Sequence, residues 1–281
     1  MGVFCGRKRR SEYKTVVLMS DFGLKDGAVG SMKGVILSVD DGINVSDLTH
    51  FITPFDIHEA SYRLYQSMVY YPKGSVFVCV VDPGVGTERK SIVALTKNGY
   101  YIVTPDNGTI SYIAREYGIS EIREICGSDY RLPGSYESYT FHGRDVYCYT
   151  GAKLAIGRKF ESIGDVLGEH VSLGISSVRI EGDEIAGGVV VLDGDYGNIW
   201  TNINVCDMEK IGIGFGESVG LRICSDGVCL YDSELVFERS FGYVEKNEGI
   251  SYVNSLGNFS VAINQGNFSK EFGISSGSKV F

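Results

Sequence analysis

Hydrophobic positions along the chain fall into two textures. Between about residues 14 and 170, apolar β-branched runs such as "TVVLM", "SVFVCVV", "SIVAL" and "YYIVT" read as buried strands. They alternate with segments of helical period, "FDIHEASYRLYQSMVYY" and "TISYIAREYG". That alternation predicts an α/β domain with a doubly wound, mostly parallel sheet and helices on its faces. From about residue 176 onward, short strands ("AGGVVVLD", "SVGLRIC", "GVCLYD", "GISYVNS", "NFSVAIN") follow closely, with Gly and Asn between them and little helical period. This half predicts an all-β barrel. The expected domains are residues 1–175 and 176–281, with the boundary near "SLGISSVRIEGDEIAG"; no internal repeat or low-complexity segment is evident.

Composition narrows the class. A chain of 281 residues, 43% hydrophobic and 22% charged, can bury a large core and has the make-up of a soluble globular protein. Its net charge of −9 argues against nucleic acid as a partner, because phosphate binding needs clustered Lys and Arg. A small or cationic ligand fits better. Seven cysteines with no C-x-x-C pair suggest buried reduced thiols and a cytoplasmic location. The basic start "MGVFCGRKRRSEYK" lacks the apolar core of a signal peptide and is expected to be a tail. No run approaches the ~20 apolar residues of a membrane helix, so no membrane association is expected. Triplets such as Asn107-Gly108-Thr109 then carry no glycosylation meaning.

Three clusters bear on chemistry. "VVDPGVGTERKS" follows a strand and ends in Lys-Ser, as a Walker A loop does, but Arg89 stands where that loop needs Gly. The following "SIVALTKNGYYIVT" reads as a hairpin around Asn98-Gly99 rather than a helix. Without a G-x-G-x-x-G fingerprint either, nucleotide-phosphate binding is disfavoured. What remains is Asp82 and Arg89 at the carboxyl end of a strand, where α/β sheets place ligands; on local evidence alone, a structural salt bridge is the better reading.

In "YTFHGRDVY", His142 lies between an aromatic residue and Gly143, where backbone could approach a ligand closely. The other histidines, His50, His58 and His170, read as surface or satisfied core residues. "LDGDYGNIWTNI" holds Asp193, Asp195, Asn198 and the single Trp, and by itself could serve as a turn.

Taken in order, "SDFGLKDGAVGSMKGVI", "VVDPGVGTERKS", "TPDNGTIS", "TFHGRDVY" and "GDYGNIWTNI" resemble the adenosine-forming S-adenosylmethionine hydrolases, also called S-adenosylmethionine hydroxide adenosyltransferases. Fluorinases and chlorinases are relatives of that family. The resemblance runs from about Thr15 to the C-terminus. It implies an α/β domain, a β-barrel, no cofactor or metal, and a homotrimer with active sites between subunits. It also implies a catalytic set of Asp82, Arg89 and His142. Asp21 would hold the ribose hydroxyls, Phe55 and Phe241 would pack near ribose and adenine, and Asn198 would bind the adenine edge. Asp193 would take the methionine ammonium, and Ser255 would lie near its carboxylate. The halogenating relatives place Tyr-Ser where this chain has His142-Gly143, which favours the hydrolase branch. Ser20, Ala28 and Tyr196 depart from the family's usual Thr, aromatic and Phe.

The residue types suit the implied reaction. The sulfonium makes methionine a good leaving group, so the protein must supply an oriented nucleophile. Water is a poor one, its pKa being about 15.7, and positive charge with hydrogen bonds must favour its hydroxide-like form. Arg89 stays protonated and cannot be the base; that role falls to Asp82 or His142. His142 and Arg89 are expected to position the water while Asp82 orients Arg89. Aromatic rings near the sulfonium would contribute roughly 0.5 to 2 kcal/mol each. Halide attack on the same substrate and a non-catalytic nucleoside-binding protein are the alternatives.

Overall fold

The computed structural model describes residues 14–281, and the basic N-terminal stretch expected to be a tail lies outside the described residues. The chain divides into two compact units, the first ending at Leu173 and the second spanning Gly174–Phe281.

The first unit is built on a six-stranded sheet: β1 (Thr15–Ser20), β2 (Asn44–Thr49), β3 (Val76–Val80), β4 (Ser91–Thr96), β5 (Tyr101–Pro105) and β6 (Ile119–Glu124), in the order β2-β1-β3-β5-β4-β6. Successive side chains of a strand point to opposite faces. Val16 and Leu18 therefore pack with Met32 and Ile36 of α1 (Ala28–Val39) and Ala152 of α4 (Tyr149–Ala155). Val17 and Met19 pack on the other face with Leu64 and Met68 of α2 (Ile57–Met68) and Ile113 of α3 (Ser111–Glu116). This double burial explains why the strands read as unbroken apolar runs.

The sheet is mixed, with β4 alone reversed against five strands that run the same way. β2, β1, β3 and β5 pair in parallel, but β4 runs antiparallel to both β5 and β6. The expected Asn98-Gly99 turn is the cause, since a tight turn can only join antiparallel strands, and Gly99 takes the positive φ of 90° there.

The second unit is an antiparallel sheet of β7 (Arg179–Glu181), β8 (Glu184–Asp193), β9 (Asn198–Asn204), β10 (Ser218–Ser225), β11 (Val228–Val236), β12 (Gly249–Val253), β13 (Asn258–Ile263) and β14 (Lys279–Val280). Its main path runs β11-β10-β14-β8-β9-β13-β12. A bridge from Phe237 to Ser251 brings the two ends together, so the sheet is a nearly closed barrel. Val189, Ile199, Leu221, Phe237, Phe259 and Val261 fill its interior. Two short helices, α5 (Val205–Lys210) and α6 (Phe268–Phe272), pack on β9 and β13. Among the described residues no helix is long and apolar enough to cross a membrane.

The cysteines depart from expectation. Cys79 and Cys148 are buried and burial pushes both thiols up, but Cys126, Cys206 and Cys229 are exposed. Composition cannot place a residue on the solvent side of a strand or loop.

Candidate active site

In the first unit, parallel strands β1 and β3 are neighbours, so the loops leaving their carboxyl ends start side by side. Asp21 follows the first strand directly and Asp82 lies two residues past the second. Both line a cavity of about 230 Å³, together with Phe55, Val85, Phe141 and His142. The cavity thus sits where open α/β sheets hold their ligands.

Phe55 is held in a sparsely populated conformation at φ 71°, a state that costs on the order of 1–3 kcal/mol. Two local bonds offset it. The Phe55 N–H donates to Asp21 Oδ2 at 2.9 Å, and the adjacent Asp56 caps α2 by accepting from the Glu59 N–H at 2.8 Å. Behind Asp21, Ser20 Oγ lies 2.7 Å from His50 Nδ1 while His50 Nε2 lies 3.1 Å from Asp47. His50 is thus the satisfied core residue expected, and His58 likewise pairs with Tyr112 at 3.2 Å.

The seven-residue spacing of Asp82 and Arg89 is bridged at 2.6 Å, Arg89 Nη2 donating to Asp82 Oδ2. The pair is nearly withdrawn from solvent, at 5% and 10% side-chain exposure. Arg89 Nη2 also lies 3.4 Å from His142 Nδ1, while Nη1 donates to the Lys90 carbonyl at 2.7 Å and Ser91 Oγ at 3.0 Å. Arg89 is not among the residues that line the cavity. It stands behind Asp82 and His142, donating to the first and lying within reach of the second.

Tyr147, which the sequence reading did not single out, completes this layer. Its hydroxyl donates to Asp82 Oδ2 at 3.2 Å and lies 3.1 Å from Ser91 Oγ; the Arg89 guanidinium sits 5.9 Å from its ring. Residues Gly143–Cys148 form a π-helical turn that begins immediately after His142. Such a turn bonds residue i to i+5, and the His142 and Tyr147 rings meet edge to face with centroids 6.4 Å apart. A five-residue spacing gives no such signal on an ordinary helix.

Gly143 lines the cavity and also has a packing role. A Cβ there would lie 2.8 Å from Val80 Cγ1, so its absence lets the His142 turn pack against β3. Gly86, at φ 79°, similarly clears the Tyr139 carbonyl, where a Cβ would come within 2.8 Å. Asp145 of the same motif is fully buried and paired with Arg144 at 2.7 Å, a structural ion pair.

Electrostatics set the protonation states. Burial raises the Asp82 carboxyl, outweighing the attraction of Arg89 and the hydrogen bond from Tyr147. His142 is lowered, first by burial and then by Arg89 and Arg131, which keeps the ring neutral at neutral pH. Burial pushes the Tyr147 hydroxyl up, so it remains a donor. A guanidinium has only donors, so His142 Nδ1 must accept from Arg89 and the ring proton is assigned to Nε2. Asp82 Oδ1, His142 Nε2 and Arg89 Nε are buried without a partner among the described residues. Around the cavity, Asp82 Oδ1 and His142 Nε2 are one free acceptor and one free donor.

The second unit gathers a separate cluster. Asp193 ends β8 and Asn198 begins β9 directly opposite it, with Asn198 Nδ2 donating to Asp193 Oδ2 at 3.1 Å. Gly197 between them has φ 66°, and a Cβ there would fall 2.0 Å from Asn267 Oδ1. Trp200 Nε1 donates to the Tyr252 hydroxyl at 3.3 Å, and the Phe241 ring centroid lies 4.9 Å from that of Tyr252. Burial pushes the Tyr252 hydroxyl up to about 12. Tyr252, unnoticed in "GISYVNS", therefore links the regions of Asn198 and Phe241. Ser255 stands exposed in the turn between β12 and β13, and no hydrogen bond among the described residues ties it to this cluster.

An acid–guanidinium–imidazole set beside an α/β cleft, followed by a β-barrel, defines a two-domain protein with a candidate active site in its first domain. Residues 16–164 match the SAM hydroxide adenosyltransferase N-terminal domain, and residues 187–281 match the SAM hydroxide adenosyltransferase C-terminal domain. The chain is 36% identical over 259 residues to the (R)-S-adenosyl-L-methionine hydrolase of Methanocaldococcus jannaschii, covering 91% of this chain and 90% of that protein. It is 26% identical over 288 residues to a fluorinase of Actinoplanes sp., covering 93% and 95%. A crystal structure of a Thermotoga maritima protein superposes with a TM-score of 0.87 at 33% identity, covering 94% of this chain and 98% of that one. The chain belongs to the SAM hydroxide adenosyltransferase family.

Proposed function

We propose that this protein hydrolyses S-adenosyl-L-methionine to adenosine and L-methionine. The observation that carries the reading is the constellation of Asp82, Arg89 and His142 at a cleft that also holds Asp21. The hydrolase relative, similar over nine-tenths of both chains, supports it.

In the proposed reaction a water oxygen attacks C5′, the O–C5′ bond forms, the C5′–S bond breaks, and sulfur leaves with the electron pair as neutral methionine thioether. The water must lose a proton. His142 in its Nε2–H form donates to the water oxygen and cannot accept at that atom, so Asp82 Oδ1 takes the proton. Its raised pKa makes Asp82 a stronger base than an ordinary carboxylate. Arg89 is then a positioning residue that fixes the carboxylate and the imidazole tautomer. This differs from the expectation that Arg89 itself positions the water.

Asp21 would bind the ribose hydroxyls and Phe55 would pack beside the sugar. Asp193, Asn198, Phe241 and Ser255 would hold methionine and adenine as the family resemblance implies. A metal-independent homotrimer with active sites shared between subunits, working in the cytoplasm, completes the proposal.

The test is incubation of the pure protein with each sulfonium epimer of S-adenosylmethionine, followed by chromatography of adenosine and methionine. The epimers are kept apart because the relative's name specifies the (R) form. Adenosine in stoichiometric step with methionine is expected. No adenosine above the uncatalysed rate overturns the hydrolase reading, and halide-dependent 5′-halo-5′-deoxyadenosine would move the chain to the halogenating branch.

A further inference from the structure

The hairpin of β10 and β11 turns through Asp226-Gly227, both at positive φ, 49° and 81°. Two positive values are what a type I′ turn requires, and Asp-Gly is a favoured sequence for it. Ser225 pairs with Val228 beside the turn, and Cys224 pairs with Cys229 one step further. In such a hairpin the pair flanking the turn exchanges hydrogen bonds, so the next pair is the non-hydrogen-bonded kind. There the Cα atoms lie about 4.5 Å apart and the side chains are closest. A disulfide needs Cα atoms roughly 4.4–6.8 Å apart. The backbone therefore already holds Cys224 and Cys229 at bridging separation, and a rigid two-residue turn sets that register.

The surroundings suit exchange chemistry. Cys229 is exposed and Cys224 half-buried. The Cys229 thiol donates to the Tyr231 carbonyl at 3.4 Å and is pushed up by lost solvation and then by the neighbouring Cys224 thiol. Lys279 of β14 pairs with Cys224 from the other side, placing an ammonium on the same face of the sheet. Among the described residues no other cysteines oppose each other across a strand pair.

We propose that Cys224 and Cys229 form a reversible redox site that exchanges with small anionic disulfides of the glutathione class. The exposed Cys229 thiolate attacks one sulfur of the small disulfide, forming a mixed disulfide and expelling one thiolate. The Cys224 thiolate then attacks the Cys229 sulfur, closing the intramolecular bond and expelling the second. Two protein thiols are oxidised, one small disulfide is reduced to two thiols, and the protein's two protons pass to the departing thiolates. This site is independent of the hydrolytic centre and stands whether or not that reading holds.

The full-length protein is incubated with oxidised glutathione, quenched with acid, and examined by intact mass and peptide mapping. The wild type is expected to lose two hydrogens in mass with Cys224 and Cys229 joined in one peptide, and excess reduced glutathione should reverse it. Cys224→Ser should stop at a glutathione adduct on Cys229, because the resolving thiol is gone. The proposal is overturned if the wild type also stops at that adduct, or if both cysteines stay reduced while the exposed Cys126 and Cys206 react.

Discussion

Replacing Tyr147 by Phe removes one hydroxyl from the layer behind the cleft and keeps the ring that fills the core. That hydroxyl donates to Asp82 Oδ2 at 3.2 Å and favours the ionised carboxylate. A hydrogen bond to a charged group contributes about 1.5–3 kcal/mol, and about 1.36 kcal/mol corresponds to one pH unit. Because 3.2 Å is long for a hydroxyl on a carboxylate and Arg89 remains at 2.6 Å, the lower end applies. The Asp82 pKa, already raised from its ordinary value by burial, should rise further in Tyr147→Phe, by the roughly one unit to which that energy corresponds. Asp82 must be ionised to accept a proton, so turnover falls as pH drops through its pKa. The acid limb of the kcat/KM profile should therefore move upward by about one unit, with the high-pH plateau within about tenfold of wild type. The assay is adenosine release across an acid-to-neutral pH series for both proteins. An acid limb that stays in place would show that it reports His142 instead, and the assignment of Asp82 as proton acceptor would fail.

Other outcomes test the remaining parts of the site. His142→Ala should keep substrate affinity, read by calorimetry, while kcat drops about 10²–10³-fold, the usual loss for one preorganised donor; undiminished turnover removes His142 from the mechanism. Gly143→Ala should lower stability by about 1–3 kcal/mol through the collision with Val80, and Val80→Ala in the same chain should restore much of the lost stability. If the single variant unfolds and turns over like wild type, Gly143 has no packing role. Light scattering of an active sample should give the mass of three chains; a monomeric mass with full activity would refute shared active sites.

Much of the architecture was legible because its causes are local. An apolar β-branched run becomes a strand wherever both faces are covered, and Asn98-Gly99 turns back because glycine accepts positive φ there. Helix α1 was harder to read: it contains Gly30 and Gly34 and starts at Gly27 without a side-chain cap, so its start signals are weak. The position of β6 was harder to read too, since it joins the edge of the sheet beside β4 only after the chain has passed through α3.

At the site, amino-acid order alone determined that Asp82 and Arg89 flank a turn and that His142 opens another motif. Folding brought Arg89 to His142 across a sequence separation of 53 and put the guanidinium behind the pair rather than in the cleft. The same packing chose the imidazole tautomer, raised the Asp82 carboxyl and swung Tyr147 beneath it by way of a π-helical turn. The physical reason is range. Backbone preferences act over a few residues and are written in the sequence, whereas desolvation and hydrogen-bond direction depend on which distant atoms share a low-dielectric space. "VVDPGVGTERKS" by itself therefore specifies a turn and a salt bridge, and only the fold makes that salt bridge the support of a candidate catalytic base.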